Sequence, residues 1–443
     1  MRMNKSLMAL SMLAAIAVVS GCGGNPTGAG GEKNGASADA PKKPVVNTTP
    51  ATLKLYLSNS SLSDQDVINL IEEPVKKLYP HISIETVKNA KGATIEELLA
   101  SGQTPDIFYT NIADLGKYKR LGLLGDITPL LKTYGVDFSR FDPQMLAGSS
   151  SEQGEVYGLP FFAHFNANYY NKGIFDKFGV PYPQDGMTWE DVIDLAKKVS
   201  RVESGVTYKG LDPDTIARLA MPLAITLVDA KTNRASVNTD GWRTVFTLAK
   251  EIWTLPNNMP EKLNSFQARN WFMKDQNIAM LPYNNLLNIG LEEATKNGLN
   301  WDLVQYPSYK DKPNLYAFVD AQIFTISQTS KYKEQAAQLL SVVTSDEVQL
   351  KSARTTARFS SLKNPAMREA LGADMAFLKG KNLKSIFKST APAAPPFSPY
   401  DSTDVRTISF KSFEDYMKGK DLNTALREAE EKINQWIETN KMK

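Results

Sequence analysis

The sequence predicts an α/β protein built as two bodies, each a sheet covered by helices. Three observations carry this expectation. A chain of 443 residues with 42% hydrophobic and 9% aromatic composition has enough apolar material for two packed cores. From Thr52 onward, strand-like alternation gives way repeatedly to helical spacing, the pattern of a sheet with covering helices. A second helix-bearing region opens at Thr188, after the segment Gly158 to Tyr170.

In the first body, Leu53, Leu55 and Leu57 alternate with less apolar neighbours and predict a strand. A polar loop, Ser58-Asn59-Ser60-Ser61, follows, and then Val67, Ile68, Leu70, Ile71, Val75 and Leu78 recur at helical spacing. Oxygen-bearing side chains from Ser63 to Asp66 can accept from the unpaired backbone N–H groups at that helix start. The pattern repeats: a strand at Ile82 to Val87, a helix at Thr94 to Ala100, a buried strand at Asp106 to Tyr109 and a short helix at Ile112 to Arg120. Such alternation implies a parallel sheet, whose ligands bind beyond the C-terminal strand ends. Here those ends are the loops at Ser58 to Ser61 and Thr110 to Asn111.

The second body opens with Thr188-Trp189-Glu190-Asp191, a helix start followed by the apolar stripe Val192, Leu195, Ala196 and Val199. Trp189 fits a packing role there better than a binding role. Further helices are expected at Thr239 to Thr254 and Asn264 to Lys274, then an apolar run Ile278 to Leu281, a loop Pro282-Tyr283-Asn284-Asn285 and a helix around Glu292. Trp301 to Gln305 and Ala317 to Ser327 read as strands, Lys333 to Val343 as an amphipathic helix. Leu422 to Ile437 carries Leu426, Ala429, Ile433, Trp436 and Ile437 on one face and reads as a docked surface helix.

The N-terminus is a targeting signal. Arg2 and Lys5 precede an apolar run from Leu7 to Val19, too short for a comfortable membrane span, and small residues then precede Cys22. Val19-Ser20-Gly21-Cys22 resembles a bacterial lipobox, whose cysteine becomes lipidated after cleavage and holds the protein at the outer face of the cell membrane. The alternative is an ordinary secretory signal. Residues 23–50, rich in Gly, Ala, Pro, Lys and Asn, read as a flexible tether.

Composition excludes several functions. With 51 basic and 48 acidic residues the formal charge is +3, too weak a field to hold nucleic acid. One cysteine and two histidines cannot build a disulfide framework or a zinc cage, and no EF-hand loop is present, so neither metal nor cofactor is expected. Phosphate-loop, zinc-protease, nucleophile-elbow and dinucleotide motifs are missing from the folded part.

One long run identifies a resemblance. Val156-Tyr157-Gly158-Leu159-Pro160, then Tyr169-Tyr170-Asn171-Lys172-Gly173-Ile174-Phe175-Asp176-Lys177-Phe178-Gly179-Val180-Pro181, then Thr188-Trp189-Glu190-Asp191, resemble motifs of the extracellular solute-binding protein family 1, the sugar-type group that includes maltose-binding protein. Pro105-Asp106-Ile107-Phe108, Gly122 to Leu130, Ser330 to Ala337 and Asn423 to Glu430 add to it, and Glu203 to Asn238 contributes least. The resemblance implies a periplasmic-binding-protein-like fold whose two lobes close on a ligand by a hinge motion. It places crossings near Pro160 to Asn168, Ala317 to Ile323 and Arg358 to Leu362. The lobes are then residues 51–163 with 321–360, and 164–320 with 361–443. It further implies a monomeric carbohydrate carrier serving the permease subunits of an ABC importer.

A neutral polyhydroxylated ligand needs aromatic faces for its C–H surfaces and directional polar groups beside them. The loops that mix both supply the candidates: His164 and Asn166 at the first crossing, Tyr283 as a stacking platform and Asn284 as its polar partner. Asn59, Ser60, Thr110 and Asn111 follow strands, where each is either a ligand contact or a helix cap. Asp320 and Gln322 interrupt an apolar strand, which is costly unless they pair or face a wet cleft. Arg358 either meets ligand or pairs with a carboxylate between the lobes. Two other functions stay open at this stage: a secreted glycoside hydrolase, which needs only two facing carboxylates, and a binding subunit of a membrane sensor.

Overall fold

The computed structural model describes residues 46–151 and 153–441, so the expected signal segment, Cys22 and nearly all of the expected tether lie outside the described residues. Among the described residues eleven strands run in chain order: β1 (Ala51–Leu57), β2 (Ile82–Lys88), β3 (Ile107–Asn111), β4 (Leu159–His164), β5 (Asn166–Asn171), β6 (Arg201–Glu203), β7 (Val206–Leu211), β8 (Ile278–Asn284), β9 (Trp301–Gln305), β10 (Asp320–Ile326) and β11 (Phe359–Ser360). They form two sheets, ordered β11-β4-β10-β3-β1-β2 and β6-β7-β8-β5-β9. Only Phe165 separates β4 in one sheet from β5 in the other.

The first sheet departs from the all-parallel expectation. β1 runs parallel to β2 and β3, but β10 is antiparallel to both β3 and β4. The reason is connectivity: β10 arrives from the second body and enters where β3 ends, so it must run against β3. In the second sheet β7 and β8 are parallel, whereas β5 opposes β8 and β9.

Helix starts follow the caps read from sequence. Ser63 with Asp66, Thr94 with Glu97 and Thr188 with Asp191 each form a reciprocal capping box. The helical stretch after Ser63 is not uniform: a wider π turn, Ile68–Glu72, separates Asp64–Val67 from Glu73–Leu78. Pro74 explains it, since a proline has no N–H to donate back and crowds the carbonyl four residues earlier. The expected helix at Asn264 to Lys274 is shorter, Ala268–Met273, because Asn264 (φ 51°) and Phe266 (φ 59°) take left-handed backbone first. The expected loop at Pro282 to Asn285 is mostly strand, with β8 continuing to Asn284. Pro282 is tolerated because β7 pairs with β8 only as far as Met280, which leaves one ladder fewer to fill beyond it.

Burial follows the strand period of two. Leu53, Leu55 and Leu57 pack into one core beneath the first sheet, while Tyr56, Phe108 and Ala163 join another on its opposite face. A third, larger core fills the second body around Trp189, Trp253 and Trp301. Trp189 meets Tyr306 edge-on at 5.6 Å, a packing role. Gly210 in β7 lies so close to the helix Trp189–Val199 that a Cβ there would fall 2.5 Å from the Ala196 carbonyl oxygen.

The chain also visits the first body late. The helix Pro365–Glu369 packs on the helix Asp346–Thr356 and on β11, although it follows the expected boundary at residue 360. Residues 391–399, with prolines at 392, 395, 396 and 399, then form a strap. Val319 N–H donates to the Pro392 carbonyl at 3.2 Å, and Arg120 donates to the Pro399 carbonyl. Gly116 makes room for the strap, since a Cβ there would stand 2.7 Å from Pro399 Cα. At its far end Ser398 Oγ donates to Asn233 Oδ1 of the second body at 2.7 Å. Among the described residues no helix is long and apolar enough to cross a membrane.

Candidate ligand cleft

The carboxyl ends of β1 and β3 and the start of β10 face the second body, and loops after β7 and β8 approach from the other side. Between them lies a cavity of about 240 Å³, with Asn111 and Asp320 on one wall and Arg218, Trp242, Phe266 and Arg406 on the other. Phe266 is 54% exposed, its left-handed backbone turning an apolar ring toward solvent, and the ring of Phe410 lies 6.5 Å away. A left-handed bulky residue stores strain of order 1–3 kcal/mol, which the surrounding loop must sustain.

On the second body, Arg218 Nε donates to Asp214 Oδ2 at 3.1 Å, and its guanidinium carbon sits 3.7 Å from the centre of the Tyr283 ring. Tyr283 is only 7% exposed. The expected open stacking platform is therefore corrected: Arg218 already covers a face of that ring. Burial raises the Asp214 carboxyl, against the pull of the Arg218 charge.

Asn166 and Asn284 stand opposite each other in the pairing of β5 with β8. Both are buried at the amide, and Asn166 Nδ2 and Asn284 Oδ1 have no hydrogen-bond partner among the described residues, as is true of both amide atoms of Asn168. An unpaired buried amide costs about 1–3 kcal/mol, so this row of asparagines is a strained part of the second sheet. His164, register partner of Asp320, is 8% exposed, and its Nδ1 is also unpaired. Burial pushes its pKa below the ordinary histidine value, while Asp320 pulls the other way. The His164 ring faces a separate hollow of about 300 Å³ with Tyr316, Phe359 and Phe387, so the structure does not bring it into the cavity lined by Asn111.

The remaining candidates sort by what already holds them. Asn59 Nδ2 donates to Gln322 Oε1 at 3.0 Å and Ser61 Oγ to the same oxygen at 3.1 Å, which ties the loop after β1 to β10. Ser60 is exposed beside them. Neither Asn59 nor Ser60 caps the following helix, a task that falls to Ser63. Asn111 does act as a cap, accepting from Asp114 N–H at 3.0 Å, yet it also lines the cavity. Thr110 is corrected: it is wholly buried inside the first body rather than at its edge. Arg358 takes the second of its two expected roles and pairs with a carboxylate. It is 2% exposed and spends its donors on both carboxylate oxygens of Asp66, at 2.9 and 3.1 Å, and on the Ser61 carbonyl at 2.7 Å. Burial alone would raise the Asp66 carboxyl, but those bonds hold it below the usual carboxylate value.

Sequence reasoning missed Phe266, Arg218, Asp214, Trp242 and Arg406. A signal existed for the first: Asn264-Ser265-Phe266 has the same aromatic and amide mixture that singled out Tyr283. Arg218 and Asp214 fall in the stretch least like any familiar motif. Among the described residues no group of three or more His, Cys, Asp or Glu side chains could hold a metal ion.

The chain is similar to known proteins in sequence and in structure. The model of the bacterial extracellular solute-binding protein family matches residues 64–350, more than half of the chain. The melibiose/raffinose/stachyose-binding protein MelE of Bacillus subtilis (strain 168) is 24% identical over 237 residues, 51% of this chain, and the match spans about half of that curated relative, 53%. Among solved structures, the ABC substrate-binding protein Lmo0181 of Listeria monocytogenes, in complex with cycloalternan, superposes with a TM-score of 0.72 at 19% identity, covering 88% of this chain and 99% of that one. The maltose-maltodextrin binding protein of Alicyclobacillus acidocaldarius gives a TM-score of 0.62 at 15% identity, covering 86% and 100%. At these identities the structures establish a shared two-lobe α/β fold.

Proposed function

The chain belongs to the bacterial extracellular solute-binding protein family, and from that premise we propose that it captures an oligosaccharide between its two bodies and delivers it, chemically unchanged, to the permease of an ABC importer. The observation that carries this reading is the composition of the cleft wall: an exposed Phe266 ring in one cavity with Arg218, Asp320 and Asn111. Such a surface offers an aromatic face to sugar C–H groups and many donors and acceptors to hydroxyls, with no concentrated charge of either sign. The names of the relatives, which bind raffinose-type sugars, cycloalternan and maltodextrins, point the same way. On this reading the protein works as a monomer on the outer side of the cell membrane, held there by lipid on Cys22.

The lobes 51–163 with 321–360 and 164–320 with 361–443 then act as the two jaws, with Asn59, Ser60, Asn111 and Gln322 reading the ligand from one side, Asn166 and Asn284 from the other, and Asp320 at the crossing between them. Calorimetric titration with raffinose, stachyose, maltodextrins, cycloalternan and mannotriose is the test. Saturable binding of at least one sugar, recovered intact afterwards, is the expected result. Absence of binding across the panel, or recovery of cleaved sugar, would overturn the proposal.

A further inference from the structure

Arg358 stands where three parts of the molecule meet. Behind it, the helix Asp346–Thr356 ends at Ala357 in left-handed backbone (φ 49°), and β11 begins two residues later, at Phe359. From the first body Asp66 and the Ser61 carbonyl take its Nη donors, and its guanidinium carbon lies 4.9 Å from the Phe162 ring centre in β4. From the second body, the turn after β8 reaches across. Asn285 Nδ2 donates to the Ala357 carbonyl at 2.8 Å, and the Asn288 carboxamide lies 3.1 Å from both Arg358 Nε and Nη2, so its oxygen is assigned to the side that accepts from them.

The Ser61 contact gives this hub a further reach. Ser61 N–H donates to Asn59 Oδ1 at 3.0 Å, Ser61 Oγ bonds Gln322 and lies 2.8 Å from the Tyr109 hydroxyl, and its carbonyl holds Arg358. The loop of residues 58–61 therefore cannot change shape without disturbing the arginine, and the arginine cannot move without disturbing Asn288.

We propose that Arg358 is a positioning residue that sets the relative placement of the two bodies, coupling the loop 58–61 on the first to the turn 285–288 on the second. This inference rests on the two-body reading of function but not on the identity of the ligand. A guanidinium suits the task because its rigid planar fork holds several acceptors at fixed angles, and charge-assisted bonds are roughly twice as strong as neutral ones. Burial keeps water from competing for them.

The test leaves the buried ion pair intact, because removing Arg358 strands the Asp66 charge and endangers folding. Asn288 is changed instead, to Ala, which deletes the link, and to Asp, which replaces it with a charged acceptor. Spin labels on cysteines replacing the exposed Lys132 and Lys198, in a Cys22→Ser background, report the distance between the bodies without any ligand. Asn288→Ala is expected to change the ratio of the two arrangements about tenfold, seen as a shifted or broadened distance distribution. Asn288→Asp is expected to narrow the distribution around the parent distance, an opposite response that a merely space-filling asparagine would not give. Distributions that superimpose for the parent and both variants would overturn the proposal while leaving the carbohydrate reading untouched.

Discussion

Phe266 combines two costs, an exposed apolar ring and a backbone at φ 59°, that a residue without a task would not carry. Glycine adopts that backbone freely, so Phe266→Gly removes strain while raising the entropy of the unfolded chain, two effects of about 1 kcal/mol that offset. Stability is expected to stay within about 1 kcal/mol of the parent in urea titrations, while calorimetric affinity for the best sugar falls about five- to tenfold, the worth of one aromatic contact. An unchanged affinity would remove Phe266 from the site. Asp212 gives a second residue-scale expectation. Burial pushes its carboxyl up to about 7, with the Asp214 N–H, 2.6 Å away, working against the rise. Because the folded protein binds this proton more tightly than the unfolded chain, the stability it contributes is complete below about pH 4 and is lost as pH rises through 7. The stability difference between parent and Asp212→Asn should therefore fall steadily over that window, and a flat difference would show that the carboxyl is not held protonated. Of the site itself, the strand-end rule led to the Asn59 and Asn111 loops, since it depends only on local order. It could not foresee that Asn59 would meet Gln322, which lies 263 residues away, or that Arg218 would cover Tyr283, because such pairings are decided by sheet order.

At the scale of elements, tight packing sets the limits. Gly210→Ala would drive a methyl group against the backbone of the helix Trp189–Val199, contact too close for any rotamer to relieve. The expected loss is about 3 kcal/mol, read from the urea midpoint, and a loss below 1 kcal/mol would mean the helix moves freely. Helix starts were the most legible elements, because a Ser or Thr three residues before an acid satisfies orphan N–H groups whatever the tertiary setting. Strand direction was the least legible. β10 looks like any apolar strand in sequence, and its antiparallel entry follows only from having come out of the other body. The left-handed residues Asn264 and Phe266 were hidden for a similar reason, since neither is glycine and their shortened helix otherwise reads as regular.

For the whole molecule, the expectation is a change of shape on binding. A ligand that touches both walls shifts the population toward the arrangement in which all contacts form. Small-angle scattering should show a smaller radius of gyration at saturation with the best sugar than without it, and identical curves would exclude a hinge. The amplitude of that motion is governed by more than the crossings at β4, β10 and β11. The proline-rich strap of residues 391–399 is seated on Gly116 in one body and fastened through Ser398 to Asn233 in the other. Proline-rich backbone is a semi-rigid spacer and does not stretch. The strap's two moorings fall on adjacent residues, Ser398 and Pro399, so the jaws are riveted together at one point there and cannot part locally until one of those contacts lets go.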